Sequence, residues 1–307
     1  MPAVDNAKSL HCLSFDVEEH FQVSAFETPM RRQSWDQFES RVEQNVEKIL
    51  DLLSTRGTRA TFFILGWVAE RHPRLVKQLI AAGHEVASHG YAHQMITVQT
   101  PEVFREDVRK AKAILEDLTG RPVYGYRAPS FTITSETKWA LPILVEEGYV
   151  YDSSIFPVVH DRYGMPGANP WCHEIATLSG VILEVPPSTS DLWGWRIPVA
   201  GGGYFRLYPY AVLRKLLRQI EAQQRPLVMY LHPWELDPHQ PRMAGSLCSR
   251  VRHYLNLDRT AGRLARLLSD FDFAPIRDVV PSLRAQWESV GGSGGGGRKP
   301  EGGSAIA

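Results

Sequence analysis

The chain has 307 residues with 34 basic and 34 acidic side chains, so its formal net charge is zero. A hydrophobic content of 43% is typical of soluble globular proteins and excludes a disordered or fibrous chain. Balanced charge without a long basic run excludes the electrostatic footprint of a protein that binds nucleic acid or an anionic membrane surface. We therefore expect no nucleic acid as partner, but a neutral molecule that is either small or polymeric.

Cysteine usage and the N-terminus give expectations about the compartment. Cys12, Cys172 and Cys248 are far apart, odd in number and show no C-x-x-C spacing, which argues against a disulfide framework. The first ten residues contain no apolar stretch long enough for a signal peptide, and no segment approaches the ~18 apolar residues of a membrane span. We expect reduced cysteines, no membrane span and a cytoplasmic location.

Short runs of β-type residues recur along the chain and alternate with helical patterns. Seven such runs lie at 10–15, 60–65, 84–87, 123–126, 149–151, 181–185 and 227–231. Apolar residues at a period of 3.6 predict helices at 35–56, 68–82, 101–119, 135–147 and 209–223. The first three end at Gly57, Gly83 and Gly120, and the third begins with Thr100 followed by Pro101. A helix at 259–268 and a β-type run at 271–276 close the domain.

The β-α-β-α order implies parallel strands joined by right-handed crossovers. An open doubly wound sheet and a closed barrel both satisfy this pattern, and seven units favour a barrel. The segment 186–209, with Trp193, Trp195 and three glycines, is too long for an ordinary connection and is predicted to be a functional or lid-like insertion whose aromatic side chains face a sugar. We expect one catalytic domain at 1–290, with a C-terminal extension at about 235–280, and a disordered Gly-rich tail at 291–307.

Polar side chains follow the predicted strands at the point where each strand ends. In parallel α/β folds the loops at the carboxyl ends of the strands converge on one face, so reactive side chains gather there. We therefore expect one site that contains Asp16, Glu18, Glu19, His89, His93, Arg127, Asp152 and His232.

A metal site is predicted from two of these segments. His89 and His93 in SHGYAH are four residues apart, so one helical turn would place both imidazoles at chelating distance; two surface histidines on a loop are the alternative. Carboxylates that lie close together at the end of one strand repel each other unless a cation lies between them. This favours a third metal ligand from the segment SFDVEEHF. The alternative is an Asp16 that caps a turn beside solvated Glu18 and Glu19.

Three further side chains have two interpretations each. Arg127 in YRAPSF either forms an ordinary surface salt bridge or keeps Asp16 ionised and oriented. His232 in LVMYLHPWE is either a core histidine with satisfied hydrogen bonds or a site residue. Trp234 is either core or a wall on which a sugar ring stacks, and we favour the wall.

The segments SFDVEEH, TFFILG, SHGYAH, YRAPSF, YDSS and LHPWE, in this order, resemble the polysaccharide deacetylase family, which is carbohydrate esterase family 4 with the NodB homology domain. The resemblance covers about residues 10 to 280. It is close to a subgroup found with exopolysaccharide and exosortase gene clusters, itself similar to allantoinase-like proteins and to one class of peptidoglycan deacetylase. The resemblance implies an α/β fold, a distorted (β/α)7 barrel, and one divalent metal ion.

The resemblance also implies roles for individual residues. Asp16 corresponds to the catalytic base and Arg127 to the residue that braces it. His232 corresponds to the general acid, and Asp152 stands where the family places the carboxylate that orients this acid. His89 and His93 correspond to metal ligands.

The third ligand departs from the family pattern. Most members have two adjacent aspartates in the first motif, whereas this chain has Asp16, Val17, Glu18 and Glu19. The allantoinase-like spacing favours Glu18 as the third ligand, and Glu19 stays open. Nitrogen and oxygen ligands suit several divalent metals, among which we expect Zn²⁺ because of its availability.

The resemblance implies metal-dependent removal of N-acetyl groups from N-acetylhexosamine units, with an N-acetylated glycan as substrate and exopolysaccharide biosynthesis as its setting. Hydrolysis of a cyclic amide or ureide is an alternative, as is a non-catalytic carbohydrate-binding protein with a degenerate site. Sugar identity, linkage, polymeric or lipid-linked substrate, and oligomeric state stay open.

Overall fold

The structure, a computed structural model, describes residues 9–26, 32–160 and 163–280. The Gly-rich tail predicted at 291–307 lies outside these ranges, as does the end of the predicted catalytic domain. Cys12, Cys172 and Cys248 are free thiols, as predicted. No helix within the described ranges combines the length and apolarity needed to cross a lipid bilayer.

The described elements alternate between strand and helix along most of the chain. The strands are β1 (Leu10–Val17), β2 (Thr61–Ile64), β3 (Glu85–Ser88), β4 (Gly125–Tyr126), β5 (Tyr151–Asp152), β6 (His173–Thr177), β7 (Gly180–Glu184), β8 (Thr189–Leu192), β9 (Trp195–Pro198), β10 (Val228–Leu231) and β11 (Asp272–Ala274). The α-helices are α1 (Val42–Ser54), α2 (Gly66–Arg71), α3 (Pro73–Ala81), α4 (Pro101–Thr119), α5 (Ala140–Glu146), α6 (Gly202–Leu207), α7 (Tyr210–Glu221), α8 (Leu247–Tyr254), α9 (Thr260–Asp270) and α10 (Ile276–Val279).

One mostly parallel sheet forms the centre of the fold. Its strand order is β10-β1-β2-β3-β4-β5-β7-β6, and β11 also pairs with β1. The seven predicted strands are all present as parallel neighbours, whereas β6 was not predicted and runs antiparallel to β7. In the described ranges no ladder joins β7 to β10, so the sheet is not closed. The Ser188 N–H approaches that gap and donates to Val228 O at 3.1 Å.

Burial explains why runs of β-type residues in the sequence predicted the strands. The first three strands are buried almost throughout, because helices cover one face of the sheet and the barrel interior fills the other. On the outside, α4 begins where Thr100 accepts a hydrogen bond from Val103 N and ends at Gly120, which has a φ of 62°. These bounds confirm the predicted helix 101–119.

Two predicted helices are divided in the structure. The segment 68–82 is broken at Pro73, because proline has no N–H to donate and its ring clashes with the preceding turn. The segment 35–56 contains a short 3₁₀ turn at Trp35–Gln37 and becomes α-helical only at Val42. The segment 186–209 is not a single long loop, because it contains the β8–β9 hairpin and α6.

Candidate active site

The carboxyl ends of the parallel strands surround one polar pocket of about 210 Å³. Its lining includes Asp16, Glu18, Val23, Ser24, Ala25, His89, His93, Ser130, Phe131, His160, Tyr163, Tyr230, His232, Trp234 and Arg252. The prediction that strand ends bring these side chains together therefore holds for the first, third and seventh predicted strands. Arg127 reaches the pocket through its contact with Asp16, and Asp152 is not part of the lining.

Glu18, His89 and His93 form a compact group of potential metal ligands. One ligand atom from each lies within 4.8 Å of the other two, and all three side chains are buried. The closest pair is His93 Nε2 and Glu18 Oε2 at 2.6 Å. Two imidazoles and one carboxylate are a donor set that suits a divalent transition metal, and three protein ligands leave positions for substrate and water.

The loop that carries both histidines is not a helical turn, contrary to the sequence prediction. Gly90 has a φ of 73° and His93 a φ of 49°, so the chain reverses after β3. Asp107 on α4 holds this reversal, because its carboxylate accepts hydrogen bonds from Tyr91 N at 2.7 Å and Ala92 N at 3.2 Å. A Cβ at position 90 would lie 2.7 Å from Asp107 Oδ2, which explains the glycine.

A backbone hydrogen bond fixes the orientation of the His89 ring. Its Nδ1 donates a hydrogen bond to Arg127 O at 2.8 Å, since a carbonyl oxygen can only accept. The proton therefore resides on Nδ1 and Nε2 is left with a lone pair for a metal ion. Burial lowers the pKa of His89 to about 4, so the ring is neutral at physiological pH, the state that metal coordination requires.

The two glutamates of the first motif face different partners. Glu19 accepts hydrogen bonds from Ser40 Oγ at 2.5 Å, Arg41 N at 3.1 Å and Val42 N at 3.3 Å, so it caps the N-terminus of α1. Glu18 instead faces His93 and accepts from Trp234 Nε1 at 3.0 Å. Burial acts to raise the pKa of Glu18, but the positive charges of His93 and His232 outweigh it and hold that pKa below the usual range.

Asp16 lies beside a fully buried arginine. Arg127 Nη1 donates to Asp16 Oδ1 at 2.6 Å and to Ser14 Oγ at 2.8 Å. The other nitrogens of Arg127 donate to Ser153 O at 3.2 Å and to Ser153 Oγ at 2.8 Å. The surface salt-bridge interpretation of Arg127 is therefore wrong. A guanidinium held from both sides fixes the orientation of the neighbouring carboxylate and places a positive charge beside it.

His232 lies in the same pocket, close to the carboxylates of Asp16 and Glu18. Its Nε2 lies 4.0 Å from Asp16 Oδ2 and 3.8 Å from Glu18 Oε1. Its Nδ1 lies 3.4 Å from Glu235 Oε2, and the same oxygen accepts from His232 N at 3.0 Å. Burial alone would lower the pKa of His232, but the hydrogen bond and charge of Glu235 outweigh burial and raise that pKa to about 9. The imidazole is thus protonated at neutral pH.

Glu235, rather than Asp152, is the carboxylate that holds His232. Arg206 on α6 donates to Glu235 Oε1 from Nη2 at 3.1 Å and from Nε at 3.3 Å, so the three side chains form a chain from α6 to the pocket. The hydrogen bonds of Asp152 lead instead to Ser154 and Glu184. Sequence reasoning missed Glu235 although it lies in the LHPWE motif. In the structure Gly202 packs against the Glu235 carboxylate, and any Cβ added at position 202 would collide with it.

Trp234 is not a sugar-stacking wall. Its ring lies between His232, at a centroid distance of 5.0 Å, and His253 on α8, at 4.2 Å, and both contacts are stacked. Neither face is open to a sugar ring, and the side chain is buried. The exposed aromatic side chains lie elsewhere, on the β8–β9 hairpin, where Trp193 is 91% and Trp195 76% exposed.

Two family models match most of the chain. Residues 29–144 match the model for polysaccharide deacetylase, and residues 153–281 match a domain of unknown function, DUF3473. Among curated relatives, the peptidoglycan-N-acetylglucosamine deacetylase of Bacillus cereus is 34% identical over 99 residues, which are 30% of this chain and 34% of that protein. The peptidoglycan deacetylase of Helicobacter pylori is 30% identical over 113 residues, or 37% of this chain and 38% of that protein.

The matched segments thus cover less than two fifths of these relatives. Solved structures extend the likeness to the whole fold. A Mycobacterium smegmatis protein described as a polysaccharide deacetylase has a TM-score of 0.59 at 20% identity, covering 92% of this chain and 93% of that one. A Puue allantoinase has a TM-score of 0.58 at 18% identity, with coverage of 91% and 89%. The fold is therefore the predicted barrel type with an unclosed sheet, and residues 29–144 match the polysaccharide deacetylase family model.

Proposed function

We propose that this protein is a metal-dependent hydrolase that removes N-acetyl groups from N-acetylhexosamine units of a glycan. One observation carries the proposal: a buried group of two imidazoles and one carboxylate shares a pocket with an arginine-braced aspartate and a protonated histidine. Glu18, His89 and His93 would hold the ion, and the neutral His89 imidazole and the ionised Glu18 carboxylate fit a divalent cation. When bound, the ion supplies Lewis-acid chemistry to the acetamide and its attacking water.

The remaining side chains divide the proton transfers between them. Asp16 removes the proton from the attacking water, and Arg127 holds this carboxylate in position. Ser130 lines the pocket, and its N–H is the backbone donor that we assign to the developing oxyanion, because the Phe131 N–H already donates to Ala128 O. His232 gives its proton to the departing amine, which is otherwise a poor leaving group. Acetate and a free amino sugar result.

The finer features of the substrate and cofactor also belong to this proposal. Zinc is the proposed metal, since nitrogen and oxygen donors suit it. The proposed setting is exopolysaccharide biosynthesis, with a polymeric or lipid-linked N-acetylated glycan as partner. The names of the curated relatives, which are peptidoglycan deacetylases, support an N-acetylated sugar polymer. Exposed Trp193 and Trp195 offer aromatic faces to sugar units outside the pocket.

The test is acetate release from a panel of N-acetylated glycan oligomers, with and without a chelator, together with metal analysis of the purified protein. We expect release that stops on chelation and returns on adding Zn²⁺. His89→Ala should abolish it, whereas His239→Ala, at an exposed histidine outside the pocket, should not. Release that persists after chelation and in His89→Ala would remove the metal from the reaction. Turnover of a cyclic ureide without acetate release would favour the allantoinase-like alternative.

A further inference from the structure

A second pair of carboxyl groups lies behind the candidate site and takes no part in the chemistry proposed above. Asp152 ends β5 and Glu184 ends β7, and the two residues are in register in the parallel ladder. Both side chains are completely buried. Asp152 Oδ1 accepts from Ser154 Oγ, and Glu184 Oε1 accepts from Ile155 N at 3.1 Å. The other two oxygens, Asp152 Oδ2 and Glu184 Oε2, have no donor among the described residues.

Two buried carboxyl groups side by side cannot both be ionised without a cation between them. No lysine or arginine in the described ranges forms an ion pair with either group. A single proton between the two oxygens that lack a donor satisfies both at once. Burial and the mutual repulsion of the carboxyl groups raise the pKa of Glu184 well above its usual range, and burial raises the pKa of Asp152 to about 6.

The other ionisable groups around the pair leave this arrangement intact. The Tyr126 phenol of β4 and the Cys172 thiol before β6 are both uncharged at neutral pH, because burial raises the pKa of each. His173 of β6 is in register with Glu184, and its Nδ1 contacts Trp171 O at 2.8 Å. On α5, which packs against β7, Glu146 contacts Ser179 at the opposite end of that strand.

The pair is connected to the candidate site by one short chain of hydrogen bonds and by Ser153, the residue that follows Asp152. Ser154 Oγ, which donates to Asp152, accepts from Ala128 N at 2.7 Å and so fixes the start of the turn Pro129–Phe131 that lines the pocket. The adjacent Ser153 accepts two hydrogen bonds from Arg127: its carbonyl oxygen accepts from Nε and its hydroxyl oxygen from Nη2.

We propose that Asp152 and Glu184 form an acid–carboxylate pair sharing one proton, and that this pair is a positioning device for Arg127 and for the pocket turn that begins at Ala128. The inference rests on the proposed function for its catalytic consequence. The geometric claim stands without it, because the pair anchors the segment 153–155 and that segment holds Arg127. Neither carboxyl group touches substrate or metal ion in this arrangement.

The test compares Glu184→Gln, Glu184→Ala and Asp152→Asn in the full chain. The side-chain amide introduced by Glu184→Gln or by Asp152→Asn supplies an N–H in place of the shared proton, so both variants should keep the pair together. In Glu184→Ala the second oxygen of Asp152 loses its partner. The hydrogen exchange rate of the Arg127 Nε–H, measured in NMR spectra, reports how firmly Arg127 is held. This measurement does not depend on enzymatic activity. The variant Arg127→Lys assigns the resonance.

We expect the Arg127 Nε–H to exchange slowly in the wild type, Glu184→Gln and Asp152→Asn, and at least about tenfold faster in Glu184→Ala. The infrared band of a protonated carboxyl group should be present in the wild type at pH 7 and lost in Glu184→Gln. For acetate release, kcat should stay within about threefold in the two amide variants and fall about 10–100-fold in Glu184→Ala, with metal content unchanged.

Equal exchange of Arg127 in Glu184→Ala and the wild type would overturn the positioning role. An unchanged infrared band in Glu184→Gln would overturn the shared proton. Absence of acetate release from every variant and the wild type, with the exchange and infrared results as expected, would refute the proposed function and leave the positioning pair established.

Discussion

The two halves of the chain contribute different groups to one pocket. Residues 10–144 provide Asp16, Glu18 and the two imidazoles, whereas residues 153–280 provide His232. In the first half, the loop that carries His89 and His93 is held by Asp107 of α4. In the second half, His232 depends on Glu235, and Glu235 depends on an arginine 29 residues away on α6. The histidine loop is thus held by the next α-helix along the chain, while the position of His232 depends on an arginine from a different element.

This comparison predicts different consequences of substitution in the two halves. Changes at Glu18, His89 or His93, or at the support Asp107, should alter metal content, because these residues form or hold the candidate ligand group. Changes at His232 or Glu235 in the second half should alter kcat and leave metal content unchanged.

The largest effect is expected at the first motif. Glu18→Ala should lose the metal ion and reduce kcat/KM by about 10⁴-fold or more, because the attacking water would no longer be activated at neutral pH. Glu19→Ala is the matched control: it should retain the ion and lose only about 1–3 kcal/mol of unfolding free energy, since it removes the cap of α1. Metal analysis and chemical denaturation measure both. Metal loss in Glu19→Ala alone would reverse the ligand assignment.

The second largest effect is expected at the acid. His232→Ala should reduce kcat by about 10³-fold, within the usual range for a positioned general acid. Its metal content should equal that of the wild type, because the three candidate ligands lie in the first half. Steady-state kinetics with metal analysis separates the two effects. Loss of the ion in this variant would contradict the division between the halves.

Glu235→Gln tests the support of that acid. The amide keeps an acceptor for His232 N but removes the charge that stabilises the imidazolium, so kcat should fall about 10–100-fold. Metal content should not change. A kcat equal to that of the wild type would show that Glu235 is only a structural partner of Arg206.

Asp107→Ala tests the corresponding support in the first half. Without the carboxylate, the N–H groups of Tyr91 and Ala92 lose their acceptor and the loop relaxes. Metal affinity should fall about 10–100-fold, while kcat at saturating metal should remain close to that of the wild type. Asp107→Asn, which keeps one acceptor oxygen, should lose less. A kcat defect that excess metal does not restore would argue against this role.

The smallest effect concerns the pH dependence of stability. The folded-state pKa of Asp152 is raised to about 6 and that of Glu184 further, so the folded protein retains a proton that the unfolded chain loses above about pH 4. The stability contributed by this proton is complete below about pH 4 and is lost as pH rises. Glu184→Gln should remove at most about 1.4 kcal/mol per pH unit of this slope. Denaturant unfolding at several pH values measures it, and equal slopes would contradict the assignment.

The sequence by itself determined the seven parallel strands and the strand ends at which the site residues lie. It could do so because strands buried on both faces are nearly continuous apolar runs, and because parallel strands all end on one side of the sheet. The same rule predicts that Glu18, His89 and His93 lie near one another. Periodicity did not determine every helix bound, because the apolar pattern at 68–82 continues across Pro73 whereas the helix does not.

Only the tertiary structure decided which carboxylate faces which partner. Glu18 and Glu19 are adjacent and chemically equivalent in sequence, yet one turns to His93 and the other to the N-terminus of α1. Likewise Glu235 and not Asp152 lies against His232, and Asp152 lies beside Glu184. These choices depend on contacts between residues far apart in the chain, and local propensity carries no information about such contacts because it reflects only neighbouring residues.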